Sequence, residues 1–142
     1  MSDQGWLYVV LREDAKTLFR AKTDEQLDAF VEELHQRAAG TPTICDCGHD
    51  WQKMHDSLLA LDPGGPLPFC LLGGRPLYQG SERQVVLVRP DLVGHVAAKL
   101  AEITSDEAIV TRLGEQIHAL TDLYSHAADQ QAAVVFATEK TS

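Results

Sequence analysis

Two cysteines and two histidines, Cys45, Cys47, His49 and His55, lie within a segment of eleven residues. Thiolate and imidazole are the ligands that zinc prefers, and a structural zinc site needs four ligands in a tetrahedron. The cysteine spacing here is C-x-C, whereas zinc knuckles usually place about two to four residues between their cysteines. The sequence therefore favours a surface loop with incidental cysteines, and a metal site at Cys45, Cys47 and His49 is the less favoured alternative.

The segment 50–61 carries the clearest apolar stripe in the chain. Its members recur at helical spacing and are Trp51, Met54, His55, Leu58 and Leu59. Trp51 and His55 face the same way one turn apart, so we expect this helix to form the hub of the core. For His55, a neutral core histidine with a ring nitrogen bonded to a backbone carbonyl is favoured over an acid or base in a cleft. If the helix borders a pocket, Trp51 and His55 are its best candidate lining residues.

Arg75 and Tyr124 complete the set of candidate pocket-lining residues. Arg75 follows Gly73-Gly74 and could hold a carboxylate or phosphate through two parallel N–H groups, although an exposed arginine is the ordinary case. The glycine pair, with Gly80 further on, is not followed by the Gly-Lys-Ser/Thr of a phosphate-binding loop, so turn formation explains it better. The sequence shows no catalytic constellation, and no cofactor is predicted.

Short strands and several helices must position these residues. Strands are predicted at residues 6–11, 84–88 and 132–137, and residues 69–72 are either a buried strand or an apolar loop. Helices are predicted at residues 12–20, from the capping box at Thr23 to Gly40, at 50–61, and from Pro90 to about residue 103. A second capping-box pattern at residues 104–107 begins another helical region that ends near residue 130 and that Gly114 could divide. Residues 41–48 are predicted to be a loop. We therefore expect an α+β fold, with five or six helices covering a small mixed or antiparallel sheet of three or four strands.

Composition limits the class of protein and its partners. The 142 residues carry 12 Lys and Arg against 21 Asp and Glu, a formal charge of −9, which disfavours nucleic acid and anionic membranes. A basic protein partner would be attracted, although solubility alone also explains the acidity. An odd number of cysteines and the lack of a signal pattern or a membrane-length apolar run favour a cytoplasmic protein. Residues 1–142 are expected to form a single domain, and its oligomeric state cannot be predicted.

An ordered set of short motifs resembles the YfbM-like family of bacterial proteins. The set comprises Trp51-x-x-x-His55 with Leu58 and Leu59, then residues 71–74, residues 85–88 leading into 91–93, and residues 123–128 before a terminal strand. The resemblance implies an α+β cytosolic domain of about this size and implies no activity. The family pattern often has a lysine or similar residue where this chain has Asp50, and the segment with Cys45 and Cys47 departs from it.

Two functions remain as hypotheses. The first is a non-enzymatic protein-binding module of a regulatory or toxin-neutralising type, favoured because no catalytic constellation is present and the chain is small and acidic. The second is a small-molecule-binding protein or enzyme with a pocket beside Trp51 and His55.

Overall fold

A five-stranded antiparallel sheet lies at the centre of the computed structural model, which describes residues 4–41, 43–72, 74–78 and 83–138. The strands are β1 (Gly5–Val10), β2 (Ile44–Gly48), β3 (Arg75–Pro76), β4 (Val85–Val88) and β5 (Ala133–Thr138), in the spatial order β2-β1-β5-β4-β3. The first and last strands of the chain are therefore neighbours at the centre of the sheet, with Gly5 opposite Thr138 and Val10 opposite Ala133.

Six α-helices surround the sheet in the described part of the chain. They are α1 (Arg12–Arg20), α2 (Asp24–Ala38), α3 (Trp51–Leu61), α4 (Pro90–Thr104), α5 (Glu107–Leu113) and α6 (Gln116–Asp129). A short 3-10 helix, Leu67–Cys70, follows α3. The predicted α+β class is confirmed, and the sheet has one strand more than the expected three or four.

The two faces of the sheet are covered unequally. Alternation along β1 sends Leu7 and Val9 to one face, where they pack with residues of α3, α4 and α6. Tyr8 and Val10 point to the other face, where the buried helical residues of the described part of the chain come from α1 and α2. We call this second side the thin face. A face with fewer covering helices leaves more of the sheet available for cavities and partners.

Local signals set several helix ends. The Thr23 hydroxyl accepts the Gln26 backbone N–H at 3.1 Å, and the Gln26 side chain accepts the Lys22 N–H at 2.7 Å, much as the capping box predicts. At the second capping-box pattern, the cap is Asp106, whose carboxylate accepts the N–H groups of Ala108 and Ile109. Gly114 has φ +89°, which favours glycine, and it separates α5 from α6.

The predicted loop at residues 41–48 is wrong, because residues 44–48 form the edge strand β2. Leu7 pairs with Cys45 and Tyr8 with Ile44, so pairing with β1 overrides the local Thr and Gly content. Residues 69–72 are also not a strand: the 3-10 helix ends at Cys70 and is followed by a turn. The alternative of an apolar segment packed on the core is closer, since Cys70 and Leu71 are fully buried.

The apolar stripe predicted for segment 50–61, now α3, is only partly buried. Trp51 and Leu58 are 5% and 0% exposed, whereas Met54 and His55 are half-buried and Leu59 is 42% exposed. On α1, Leu18 and Phe19 are both apolar and adjacent, yet Leu18 is buried and Phe19 is 64% exposed. The helix α3 therefore anchors the core through its indole and one leucine, and the rest of its stripe lies at the boundary with solvent.

Trp51 reaches the sheet because Gly5 leaves room for it. The indole packs against Phe136 with ring centroids 5.0 Å apart. A Cβ at residue 5 would lie 2.7 Å from the Phe136 ring and 2.9 Å from Trp51, so only glycine fits there without displacement. Within the described residues, no helix combines the length and apolarity needed to cross a bilayer.

Candidate functional site

The structure does not bring the four predicted pocket-lining residues together. Trp51 is packed on the sheet, and Tyr124 is fully buried, where its hydroxyl donates to the Cys70 carbonyl at 2.6 Å. Arg75 is exposed on β3, at the sheet edge opposite β2. None of these three residues, nor His55, lines any of the cavities described below.

His55 lacks the backbone partner that was expected for it. Its Nδ1 atom is buried without a hydrogen bond among the described residues. Burial lowers the pKa of His55 by more than the neighbouring Asp56 carboxylate raises it. A neutral imidazole is therefore favoured at this half-buried position.

Cys45, Cys47 and Cys70 are free, buried thiols that lie near the Tyr124 hydroxyl, and we call this set the thiol cluster. A hydrogen bond between the first two lowers the pKa of Cys45 and raises that of Cys47. Burial raises the pKa of Cys70 and of Tyr124.

The residues of the possible metal site point in different directions. Cys45 and Cys47 face the core from β2, while His49 is exposed in the turn before α3. Across the described residues, no group of three or more His, Cys, Asp or Glu side chains is arranged to hold a metal ion. Cys47 and His49 do share the wall of a 400 Å³ cleft with Lys53, Arg112 and Gln116, a mixed lining without a convergent ligand set.

Two cavities occupy the thin face. The first, which we call the polar cavity, has a volume of 270 Å³ and is lined chiefly by Trp6, Tyr8, Glu32, His35, Arg83 and Thr138. The second, the apolar groove, has a volume of 440 Å³ and lies between α1, the sheet residues Val10, Leu87 and Ala133, and the ends of α4 and α6. Ala15 and Phe19 line it from α1, and Pro90 and Gly94 line it from α4. The polar cavity adjoins the Trp6 end of β1, and the groove adjoins its Val10 end.

Arg83 is the unusual group of the polar cavity. Its side chain is 3% exposed and forms ion pairs with Asp28 at 3.4 Å and Glu32 at 3.2 Å, both on α2. These carboxylates lie one turn apart on the same side of the helix, which lets them converge on one guanidinium. Beside them, the Tyr8 hydroxyl and His35 Nδ1 are joined by a hydrogen bond of 2.7 Å.

Sequence reasoning missed both cavities for different reasons. Alternation along residues 6–10 could have placed Trp6 and Tyr8 on one face, and helical spacing could have aligned Asp28, Glu32 and His35. Arg83 has no comparable signal, because it lies in a polar connection before β4 and its burial depends on distant elements. For the groove, the apolar character of Phe19 is visible in the sequence, but its exposure is not.

Comparisons with known proteins agree with this architecture. A family model described as a domain of unknown function, DUF1877, matches residues 1–111. No curated protein matches the chain. Among solved structures, the protein of unknown function YfbM from Escherichia coli is similar, with a TM-score of 0.65 and 12% sequence identity over 96% of this chain and 99% of that chain. At this identity the structural likeness shows the fold alone. Together, the sequence match and the shared fold confirm the predicted resemblance to YfbM-like proteins, and the chain belongs to the DUF1877 family.

Proposed function

We propose that this protein is a non-enzymatic protein-binding module, of a regulatory or toxin-neutralising type, and that its partner docks on the thin face. The observation that carries the proposal is Phe19. It is 64% exposed on α1 and forms part of the wall of the apolar groove. A large apolar side chain at the rim of an apolar depression is typical of a docking surface, because both lose contact with water when a partner binds.

The groove suits an apolar anchor. Its floor is built from sheet residues such as Val10, Leu87 and Ala133, and Ala15 contributes a small side chain to its wall. Leu11, 43% exposed, precedes α1 and extends the apolar surface at this end of the sheet. A partner segment that inserts one or two apolar side chains would bury this surface, and the hydrophobic effect would supply most of the affinity.

The negative net charge of the protein favours the approach of a basic partner from a distance. The whole chain carries a formal charge of −9. Exposed carboxylates of the thin face include Glu13 on α1 and Glu25 and Glu33 on α2. Within the groove, Arg89 pairs with Asp91 at 3.2 Å, and Arg12 adds a further positive charge to the lining, whereas the three glutamates lie outside it. We therefore assign the acidic field to the approach of the partner and the apolar groove to its retention.

The test compares Phe19→Ser with Leu59→Ser. Leu59 is a matched control because it is 42% exposed on α3, which packs on the opposite face of the sheet. A partner captured at low ionic strength is identified, purified and titrated against the wild type and both variants by calorimetry. Loss of the Phe19 contact should weaken binding by about 2 kcal/mol, or roughly thirtyfold, whereas Leu59→Ser should bind as the wild type does.

Varying the salt concentration distinguishes the electrostatic contribution to binding from the apolar contribution of Phe19. The association rate with a basic partner should fall steeply as ionic strength rises, while the effect of Phe19→Ser should persist at every salt concentration. Failure to capture a partner at low salt, or equal effects of the two substitutions, would overturn the proposal.

A further inference from the structure

Two buried N–H donors on the wall of the polar cavity have no hydrogen-bond partner. They are Arg83 Nη1, on a side chain 3% exposed, and Trp6 Nε1. An unpaired buried donor costs about 1–3 kcal/mol, and nearly all such groups in native proteins are paired. Two such donors beside the same cavity would both be paired by a bound molecule that carries acceptor atoms.

The charges around Arg83 exclude an anion as the natural occupant. The guanidinium already faces two carboxylates, since Nη2 lies 3.2 Å from Glu32 and Nε lies 3.4 Å from Asp28. One cation with two carboxylates leaves an excess negative charge, which would repel a further carboxylate or phosphate. The remaining donors instead suit a neutral acceptor such as a carbonyl oxygen or a heterocyclic ring nitrogen.

The walls of the cavity favour a flat molecule. Trp6 and His35 pack edge to face with ring centroids 4.6 Å apart, and Tyr8 and His35 do so at 5.9 Å. The hydrogen bond between the Tyr8 hydroxyl and His35 Nδ1 fixes the orientation of the imidazole. A volume of 270 Å³ lies just below the usual range of about 300–1,000 Å³ for ligand pockets, which indicates a single-ring ligand.

We propose that the polar cavity binds a small, uncharged, planar amide or heterocycle. Its carbonyl or ring-nitrogen acceptors take hydrogen bonds from Arg83 Nη1 and Trp6 Nε1, and its ring lies among Trp6, Tyr8 and His35. A ligand N–H group can donate to Glu32, whose side chain is 63% exposed. This site is separate from the docking groove and does not depend on the protein-binding function.

The first experiment titrates the protein with benzamide, nicotinamide and uracil, and with benzoate as the charged counterpart of benzamide. The readout is the indole N–H signals of the two tryptophans in an NMR spectrum. At least one neutral probe should move the Trp6 signal in a saturable way, with an affinity at least tenfold higher than that of any binding by benzoate. Benzoate binding as well as benzamide, or no movement of the Trp6 signal with all three neutral probes, would overturn the proposal.

The second experiment repeats the titration on Trp6→Phe, which keeps an aromatic ring against His35 and removes the N–H donor. Affinity for the neutral probe should fall roughly threefold to tenfold, the value of one hydrogen bond. The melting temperature should not fall, because the deleted donor has no partner in the free protein. This combination of weaker binding and undiminished stability distinguishes a ligand contact from a structural role.

Trp51→Phe is the matched control, because Trp51 packs against Phe136 on the other face of the sheet. It should leave probe affinity unchanged, and it also assigns the two indole signals. Arg83→Lys is a further variant that keeps the positive charge between Asp28 and Glu32 while removing the guanidinium fork. If it does not fold, Trp6→Phe still decides the question, and unchanged probe affinity in Trp6→Phe contradicts the proposal.

Discussion

His55 shows how far a residue's environment can depart from its helical pattern. The stripe placed it beside Trp51, and the structure leaves it half-buried with Nδ1 unpaired among the described residues. Trp51 and Leu58 belong to the core, whereas Met54 and His55 between them are only half-buried. Burial without a partner lowers the pKa of His55 and couples its protonation to folding.

The pH dependence of stability should therefore change in His55→Gln. Because the folded pKa lies below the unfolded value of 6.5, the unfolded state binds the proton more readily as the pH falls. The contribution of neutral His55 is present above pH 6.5 and is lost as the pH falls from there toward the folded pKa. Urea unfolding at pH 7.5 and 5.5 should show a smaller loss of stability in His55→Gln than in the wild type. An equal or larger loss in the variant would contradict this assignment.

Only part of the candidate sites could be predicted residue by residue. The alternation in β1 contains the information that Trp6 and Tyr8 share a face. Nothing near Arg83 in the chain indicates its burial, since the two carboxylates that hold it lie more than fifty residues earlier on α2. Phe19 shows a limit of helical spacing, which does not distinguish an apolar residue that packs on the core, such as Leu18, from one that is exposed.

Helices with regular apolar spacing or a clear cap were predicted most accurately. α1, predicted at residues 12–20, is Arg12–Arg20, and α2 begins directly after its predicted cap at Thr23. β2 was missed because its identity depends on pairing with β1, which lies far away in the sequence. Periodicity and caps act within a few residues and can be read locally, whereas strand pairing cannot.

The contribution of the α2 cap to the free energy of unfolding should be measurable with a single substitution. Thr23→Ala removes the hydroxyl that accepts the Gln26 N–H at 3.1 Å and should lower the free energy of unfolding by about 1 kcal/mol. The matched control is Thr17→Ala at an exposed position within α1, where alanine's higher helix propensity should leave stability unchanged or slightly raised. Urea denaturation of both variants provides the measurement. Equal effects would show that the cap contributes nothing specific.

At the scale of the whole molecule, the fold depends on the pairing of β1 with β5 at the centre of the sheet. β1 and β5 lie side by side, and every described residue of β5 is buried. β5 also pairs with β4, so it joins the two halves of the sheet. The family match ends at residue 111, yet the sheet is complete only with residues 133–138. The structural unit therefore extends beyond the matched segment.

A circular permutant tests this arrangement. Gly5 is opposite Thr138, so joining Ser142 to Met1 leaves eight residues to bridge one strand pair. A chain reopened between Pro63 and Gly64, both exposed in the turn after α3, should give the same circular dichroism spectrum and a similar melting temperature. A control reopened between Val86 and Leu87 interrupts β4 and should not fold. Failure of the first permutant would show that chain order is essential to the fold.

The placement of β5 also has a consequence for biosynthesis. When the ribosome has made β1, the strand that will lie beside it at the centre of the sheet is still more than a hundred codons away. Until then, one side of β1 has no native neighbour, and its apolar residues are open to wrong associations in the nascent chain. Slow translation should therefore increase the demand for chaperones in this protein, because the exposed strand has to wait longer for its neighbour.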